Sequence, residues 1–329
     1  MKKSLIAMAV AGIVAAPMAA QAETQVFGIM HMSAGMWEST DSTATPTTTE
    51  DNFQINSHAS RLGVKGSHDL GGGMSGIYHI EYGVNPEGAT VLTRRNQFAG
   101  IGASWGEVLI GNRDTPLKLS QGKFDQFGDR FGDLASISTG DTRNEDSITY
   151  VGKFGAIKVE AQVAASEGDG KKTGDPAAPG KGDSIADETS VAVSYSAGPL
   201  YVAVAMDSYD STEGQETDSL TRVTATYAMG SMQLGLMVES GGYGDKTADK
   251  DVMGLSFKMG MGNNAVKVQY MTGEDSNTVP VEETHTSVGY DMGLSKQVTA
   301  YVDYSVYDVT VGSASGDTTF MGAGLEVKF

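Results

Sequence analysis

Residues 317–329, DTTFMGAGLEVKF, alternate with a period of two: Met321, Ala323, Leu325, Val327 and Phe329 share one side of an extended chain, Gly322, Gly324, Glu326 and Lys328 the other. Successive side chains of a strand point to opposite faces, so the segment predicts a strand with one apolar and one polar face. In a soluble sandwich the apolar face packs on a second sheet. In a barrel in lipid it faces outward, and the polar face lines water. Alternation fits both, and the rest of the chain has to choose.

The pattern recurs upstream. Strands are predicted at 24–37, 54–67, 73–84, 93–104, 106–113, 146–152, 156–166, 188–197, 199–209, 218–229, 231–240, 250–260, 264–272, 283–292, 296–308 and 317–329, sixteen segments. Their connections take turns in length. Long ones at 38–53, 85–92, 114–145, 167–187, 210–217, 241–249, 273–282 and 309–316 alternate with tight ones near Asp69, Trp105, Gly155, Gly198, Gly230, Gly262 and Gly293. Strict alternation means that every strand crosses one slab with different surroundings on its two sides. A sandwich gives no reason for it, whereas outer-membrane barrels combine short turns at one end, long loops at the other and an even strand number. The expected fold is all-β, a 16-stranded antiparallel transmembrane barrel. Closure follows from the solvent, since an edge in hydrocarbon leaves backbone groups unpaired at several kcal/mol each. Outward residues include Val191, Val193 and Tyr195; Met232, Leu234, Leu236 and Val238; and Met253, Leu255, Phe257 and Met259. Trp37, Trp105, Phe154, Tyr209 and Phe329 fall near segment ends, where interfacial girdles belong.

Composition agrees. No mature segment approaches the ~18 apolar residues of a membrane-crossing helix, while 43 glycines and many Thr, Val, Tyr and Ser describe strands and turns. Residues 1–22 have the form of a signal peptide: Lys2-Lys3, the apolar run SLIAMAVAGIVAAPMAA, and Ala20-Gln21-Ala22 as an A-x-A site cleaved after Ala22. The barrel domain is then 23–329. Cysteine is absent, so no disulfide or thiolate chemistry is available. Without Lys2 and Lys3 the formal charge falls from −18 to −20. An acidic chain attracts cations and lacks the basic patch that nucleic acid requires.

Residues 114–145, DTPLKLSQGKFDQFGDRFGDLASISTGDTRNE, are too long for an ordinary connection. Phe124, Phe127, Phe131, Leu134 and Ile137 must be buried somewhere, and the segment is expected to fold into the lumen and narrow it. Asp125, Asp129 and Asp133 are spaced by four, which would put them on one face of a helix.

At this point the sequence resembles the general diffusion porins of Gram-negative outer membranes, from its N-terminus to Phe329. Ser60-Arg61-Leu62-Gly63-Val64-Lys65-Gly66 resembles the family's second-strand motif, and Arg95-Asn96-Gln97-Phe98-Ala99-Gly100-Ile101 its fourth. Gly111-Asn112-Arg113-Asp114-Thr115-Pro116 resembles the start of its third loop, except that Asn112 stands between glycine and arginine, which leaves the direction of Arg113 open. The resemblance implies a passive channel for ions and small hydrophilic solutes in the outer membrane, a homotrimer embedded in lipid and lipopolysaccharide, and assembly by the barrel assembly machinery with Phe329 as its signal. It also implies a constriction in which acidic Asp125, Asp129 and Asp133 face basic Arg61, Arg94 or Arg95, Arg113 and Arg143 across water. Opposed charges there create a transverse field that orients dipolar solutes. The excess of acidic charge adds an expected preference for cations.

Other motifs carry less. Gly102-Ala103-Ser104-Trp105-Gly106 matches G-x-S-x-G, but the nucleophile elbow needs a helix next and a strand follows. Gly260–Ala265 fits a dinucleotide fingerprint with no helix after it. His31, His58, His68, His79 and His285 show no metal-ligand spacing. The Gly- and Asp-rich 167–187 reads as a solvated loop before a divalent-cation site. No catalytic residue, metal or cofactor is expected. The alternatives are a sugar- or anion-specific channel, which calls for an aromatic slide or basic cluster, and, further off, a barrel enzyme or adhesin.

Overall fold

The computed structural model describes residues 22–41, 48–87, 91–165, 185–209, 218–242 and 249–329. The expected signal peptide, apart from Ala22, and most of the 167–187 loop lie outside them. Among the described residues no helix is long and apolar enough to cross a membrane; strands make the wall. These are β1 (Ala22–Asp41), β2 (Thr48–Ser57), β3 (Arg61–Gly71), β4 (Met74–Val84), β5 (Leu92–Ala103), β6 (Gly106–Asp114), β7 (Arg143–Phe154), β8 (Ile157–Ala164), β9 (Glu188–Ala197), β10 (Leu200–Tyr209), β11 (Asp218–Met229), β12 (Met232–Gly241), β13 (Lys250–Met261), β14 (Asn264–Asp275), β15 (Val281–Gly293), β16 (Val298–Val311) and β17 (Ala314–Lys328). Each pairs antiparallel with its neighbours.

Seventeen segments fill sixteen places, because β2 and β3 are one wall strand broken at His58–Ser60. β1 pairs with both, Met32–Asp41 against β2 and Ala22–Ile29 against β3. Ala59 sits at φ 46 in the break. The groups freed there are taken up locally: the His58 N–H donates to the His31 carbonyl at 2.9 Å, and the His31 N–H to Ser60 Oγ at 2.9 Å. The unbroken strand expected at 54–67 is corrected accordingly.

The ring closes between β17 and β1, from Ile29 opposite Lys328 to Asp41 opposite Gly316. Phe329 completes it by exchanging two backbone hydrogen bonds with Gly28, at 2.9 and 3.0 Å. A Cβ on Gly28 would lie 2.3 Å from the Phe329 ring, so a larger residue there would push that ring aside. Outward positions are those the alternation marked: Val191, Leu236, Leu255 and Met321 are among the exposed apolar side chains. Short turns rest on glycines with left-handed φ, such as Gly155 at 64° and Gly230 at 59°. At the long-loop end, β16 and β17 run on to Val311 and Ala314, so the expected 309–316 loop is a tight turn.

Two girdle positions are corrected. Trp105, Phe154 and Phe329 are exposed, but Trp37 and Tyr209 lie on the inward parity of their strands. Trp37 packs on the third loop, and the Tyr209 hydroxyl donates to Asp207 at 2.8 Å.

Candidate functional site: the third loop and the wall around it

The loop begins where Thr115 caps a single helical turn, α1 (Pro116–Leu119), its side chain accepting from the Lys118 N–H at 3.1 Å. Pro116 suits this position because a first-turn N–H has no helical partner to lose. Leu117 is fully buried against Ala192, Ala205 and Leu220, and its N–H donates to Ser190 Oγ. Three phenylalanines then carry the loop along the inner wall. Phe124 joins Leu134, Ile137, Met237, Val252 and Met271 in one apolar cluster. Phe127 is equally buried, and Phe131 lies 3.8 Å from the Phe320 ring and 5.2 Å from that of Trp37, centre to centre. Glycines on the inward face receive the rings: a Cβ at Gly254 would stand 2.5 Å from Phe124, and one at Gly289 2.8 Å from Phe127. Each ring so enclosed contributes about 1.5–3 kcal/mol to holding the loop down.

Ion pairs finish the docking. Arg130 meets Asp291 at 2.8 Å and Asp303 at 3.3 Å while stacking 3.6 Å above the Tyr301 ring, and Lys267 shares Asp291 at 3.1 Å. On the return limb Arg222 and Glu239, both with no exposed side chain, pair at 2.5 Å. Arg222 also donates to the Leu117 carbonyl, and Glu239 accepts from Ser138 and from the Thr139 N–H.

The residues expected at the constriction separate into groups. Arg61 and Asp129 do meet, at 2.9 Å between β3 and the loop tip. Arg95 pairs with Glu81 at 2.5 Å and Arg113 with Glu160 at 2.8 Å, wall to wall. Glu160 lies on the buried, inward parity of β8, so Arg113 points into the lumen despite Asn112. Arg94 is turned to an exposed pair with Glu145, and Arg143 binds Asp114 at the loop's base at 2.7 Å.

Asp125 and Asp133 knit the loop together. Asp125 accepts from the Phe127 and Leu134 N–H groups, and Asp133 from those of Asp129 and Ala135. The stretch between α1 and the 3-10 turn at Leu134–Ser136 is not helical, so spacing by four does not align the three carboxylates. Asp129 instead adopts φ 65. Burial first, and each other's charge second in the case of Asp133, push the Asp125 and Asp133 carboxyls well above the ordinary range.

Sequence reasoning missed Arg130, Lys267, Asp291, Asp303, Arg222 and Glu239. For those on strands the one signal was an ionisable residue on the inward parity of an otherwise alternating segment, such as Arg222 in β11 or Asp303 in β16; Arg130 lies in the loop, outside any such pattern.

A family model described as Gram-negative porin matches residues 7–312. The chain belongs to the Gram-negative porins. Its setting is the outer membrane, and the family and fold are those of a channel rather than an enzyme. Over 322 residues, 92% of this chain and 88% of the other, it is 24% identical to outer membrane porin protein 32 of Delftia acidovorans. It is 31% identical to major outer membrane protein P.IB of Neisseria gonorrhoeae over 120 residues, so the match spans about a third of that relative, 34% of its length. An anion-selective porin from Comamonas acidovorans superposes with a TM-score of 0.68 at 16% identity, over 94% of this chain and all of the other. A loop-deletion form of OmpT from Vibrio cholerae gives 0.70, also at 16% identity, over 94% and 100%. These likenesses are of fold.

In this porin the docked loop starts against β8, β9 and β10, runs along the wall to β16 and β17, and meets Trp37 of β1 and Arg61 of β3 near its tip. The inner face of β3 to β8 lies away from the loop's apolar cluster. Arg61, Lys65, Glu81, Arg95, Arg113, Lys153, Lys158 and Glu160 lie on it, and a cavity of about 620 Å³ opens at its short-turn end beside Ser67, Ser75, Glu107 and Lys153.

Proposed function

We propose that this porin is a passive, water-filled channel for ions and small hydrophilic solutes, driven by their gradients. The observation that carries the reading is a closed ring with a long loop fixed to its inner wall and charged side chains on the inward positions of β3 to β8. Purified protein in a planar bilayer then gives stepwise ohmic conductance; a preparation that inserts without steps refutes the channel. The constriction proposed is the gap bounded by Arg61, Asp129, Arg95 and Arg113. Asp125, Asp133, Arg94 and Arg143 act beside it, the carboxylates by shaping the loop. Export by a signal peptide cleaved after Ala22, assembly by the barrel machinery through Phe329, contact with lipopolysaccharide and a homotrimeric state complete the proposal. A Vibrio cholerae OmpT structure described as a trimer supports the last.

For ion preference the proposal is cations at low salt. Support comes from the acidic excess and from exposed Glu50, Asp51, Asp251, Glu274 and Glu282 at the long-loop ends of their strands. A second reading, anion preference, is favoured by a local observation. Glu160 is shared by Arg113 and Lys158, and among the described residues Lys65, Lys153 and Lys258 make no ion pair. The Comamonas structure is described as anion-selective. Reversal potentials across a salt gradient separate the two. A mouth field is screened as its reach shrinks from about 10 Å at 0.1 M to about 3 Å at 1 M. Cation preference that fades with salt supports the mouth; anion preference at all salts supports the wall.

A further inference from the structure

Ion pairing leaves the charges of this barrel sorted along its axis. In the long-loop half every lysine and arginine among the described residues is paired, Arg94 with Glu145, Lys118 with Asp141, Arg143 with Asp114, Arg222 with Glu239 and Lys250 with Glu283. Carboxylates remain over. Asp251 stands directly opposite Glu274 and Glu274 opposite Glu282, and further round the rim Asp308 faces Asp317 and Glu38 faces Asp51. None of these makes an ion pair among the described residues.

The short-turn half is sorted the other way. Five cations have no ion pair among the described residues, Lys65, Lys123, Lys153, Lys258 and Lys296, and all five lie on this side. Lys153 and Lys258 are close to the ends of β7 and β13, Lys296 is in the turn from β15 to β16, and the Lys123 carbonyl accepts from Gln233 at the start of β12, at 2.8 Å. Lys65 is on β3, the limb of the broken strand nearer the short turns. Here like charges oppose one another with the sign reversed: Lys153 lies directly across from Lys158, and Lys258 from Lys267. Asp69, Glu107 and the terminal carboxylate remain as counter-charge, since Asp291, Glu326 and Glu160 are held by Lys267, Lys328 and Arg113.

Like charges placed directly opposite one another weaken a ladder. The fold accepts acidic rows at one end and lysine pairs at the other, and their sum is a potential that changes sign along the pore. We infer that the channel rectifies, passing more current at low salt when the long-loop side is positive. With that polarity cations enter over the carboxylates and anions over the lysines, each by the end that concentrates it. Each is slowed at the far end, so salt accumulates in the lumen. Reversed polarity draws both ions out through the ends that favour them faster than the opposed ends admit them. The lumen is then depleted and conducts less. The inference rests on the channel reading, and it places the acidic mouth and the basic wall in series.

The test records the full chain in planar bilayers at equal and opposite voltages. Ser313→Cys, in the exposed turn between β16 and β17, gives a chain without other cysteine a single biotin, and streptavidin added to one chamber reports which way each channel points. Currents at the two polarities are expected to differ about 1.5-fold at ~0.1 M salt and to become equal at ~1 M, as the reach of the fields falls from about 10 Å to about 3 Å. Asp251→Asn with Glu274→Gln and Glu282→Gln, or separately Lys153→Gln with Lys258→Gln, is expected to bring the low-salt ratio about halfway to one. The two sets are scored separately, so one remains decisive if the other fails to assemble. Equal currents at low salt, a larger current with the long-loop side negative, or native rectification in both variants overturns the inference and leaves the channel reading standing. Absence of conductance at any salt refutes the channel reading, and the inference with it.

Discussion

The inner faces of β9 to β17 and of β3 to β8 belong to one barrel, yet they are built from different residues. Under the loop the wall offers glycine where a ring must enter, methionine and valine around it, and charges that are paired and largely buried. Opposite, it offers lysines and arginines with polar neighbours and few apolar side chains. The same alternation serves both halves, because an inward position needs only to suit what it meets. On one side that is a phenylalanine, on the other water. The lumen therefore carries the loop's apolar contacts along one flank and most of its wall-to-wall arginine pairs along the other.

The comparison breaks most visibly at Arg222. Arg222→Leu strands the Glu239 carboxylate in a dry site, which costs about 3–5 kcal/mol, and removes the bond to the Leu117 carbonyl as well. The loop is expected to detach while the barrel persists, read as larger single-channel conductance, more current noise and protease cleavage within 115–142. Phe124→Ala is expected to act in the same direction through the cavity it leaves, again about 3–5 kcal/mol. Gly254→Val, which drives a Cβ into the same ring, should phenocopy it. Unchanged conductance in both would mean that the apolar cluster does not hold the loop.

On the hydrated flank, effects should be electrical. The side chains of the Arg61–Asp129 pair are 20% and 35% exposed, so it adds only about 0–1 kcal/mol to docking. Arg61→Ala is expected to raise cation preference and Asp129→Asn to lower it, with little change in loop stability. Equal reversal potentials in both variants would place the pair away from the narrowest section. The smallest effect expected is the pH dependence of docking. Because docking raises the carboxyls of Asp125 and Asp133, the docked loop holds protons on them that a released loop gives up, so their contribution to docking is greatest in acid. That contribution is lost as pH rises from about 4, the ordinary carboxylate range, through the raised values of about 6 and about 7. Current noise should grow over that window, and Asp133→Asn should flatten the trend.

Strand positions were legible because each rests on its own residues. The segments at 188–197 and 218–229 were placed to the residue, and the outward faces of β12 and β13 were read correctly. What alternation could not foresee is a break whose cause is on another strand. The wall opens at His58–Ser60 because His31 supplies the partners. Nor could it place Trp37, whose position near a strand end suits a girdle equally well until Phe131 is seen beside it. Asp125, Asp129 and Asp133 misled for a related reason: spacing by four has meaning only in a helix, and Gly128 and Gly132 with the surrounding turns do not form one.

The sequence by itself determined the barrel, its strand number, the outward face and the identity of the loop that enters the lumen, since these follow from periodicity and from the need to close every edge in lipid. Only the tertiary structure decided how that loop is held. Arg130 lies 161 residues from Asp291, and the Arg222–Glu239 pair contacts Leu117 across 105 residues. Such partners are brought together by ring closure and strand register, not by any local pattern. The expectation of acidic loop against basic wall is accordingly met at Asp129 and Arg61 and reversed at Arg130, where the loop supplies the cation and β15 and β16 the carboxylates. Charge type can be read from a chain, but which charge faces which is settled by long-range geometry.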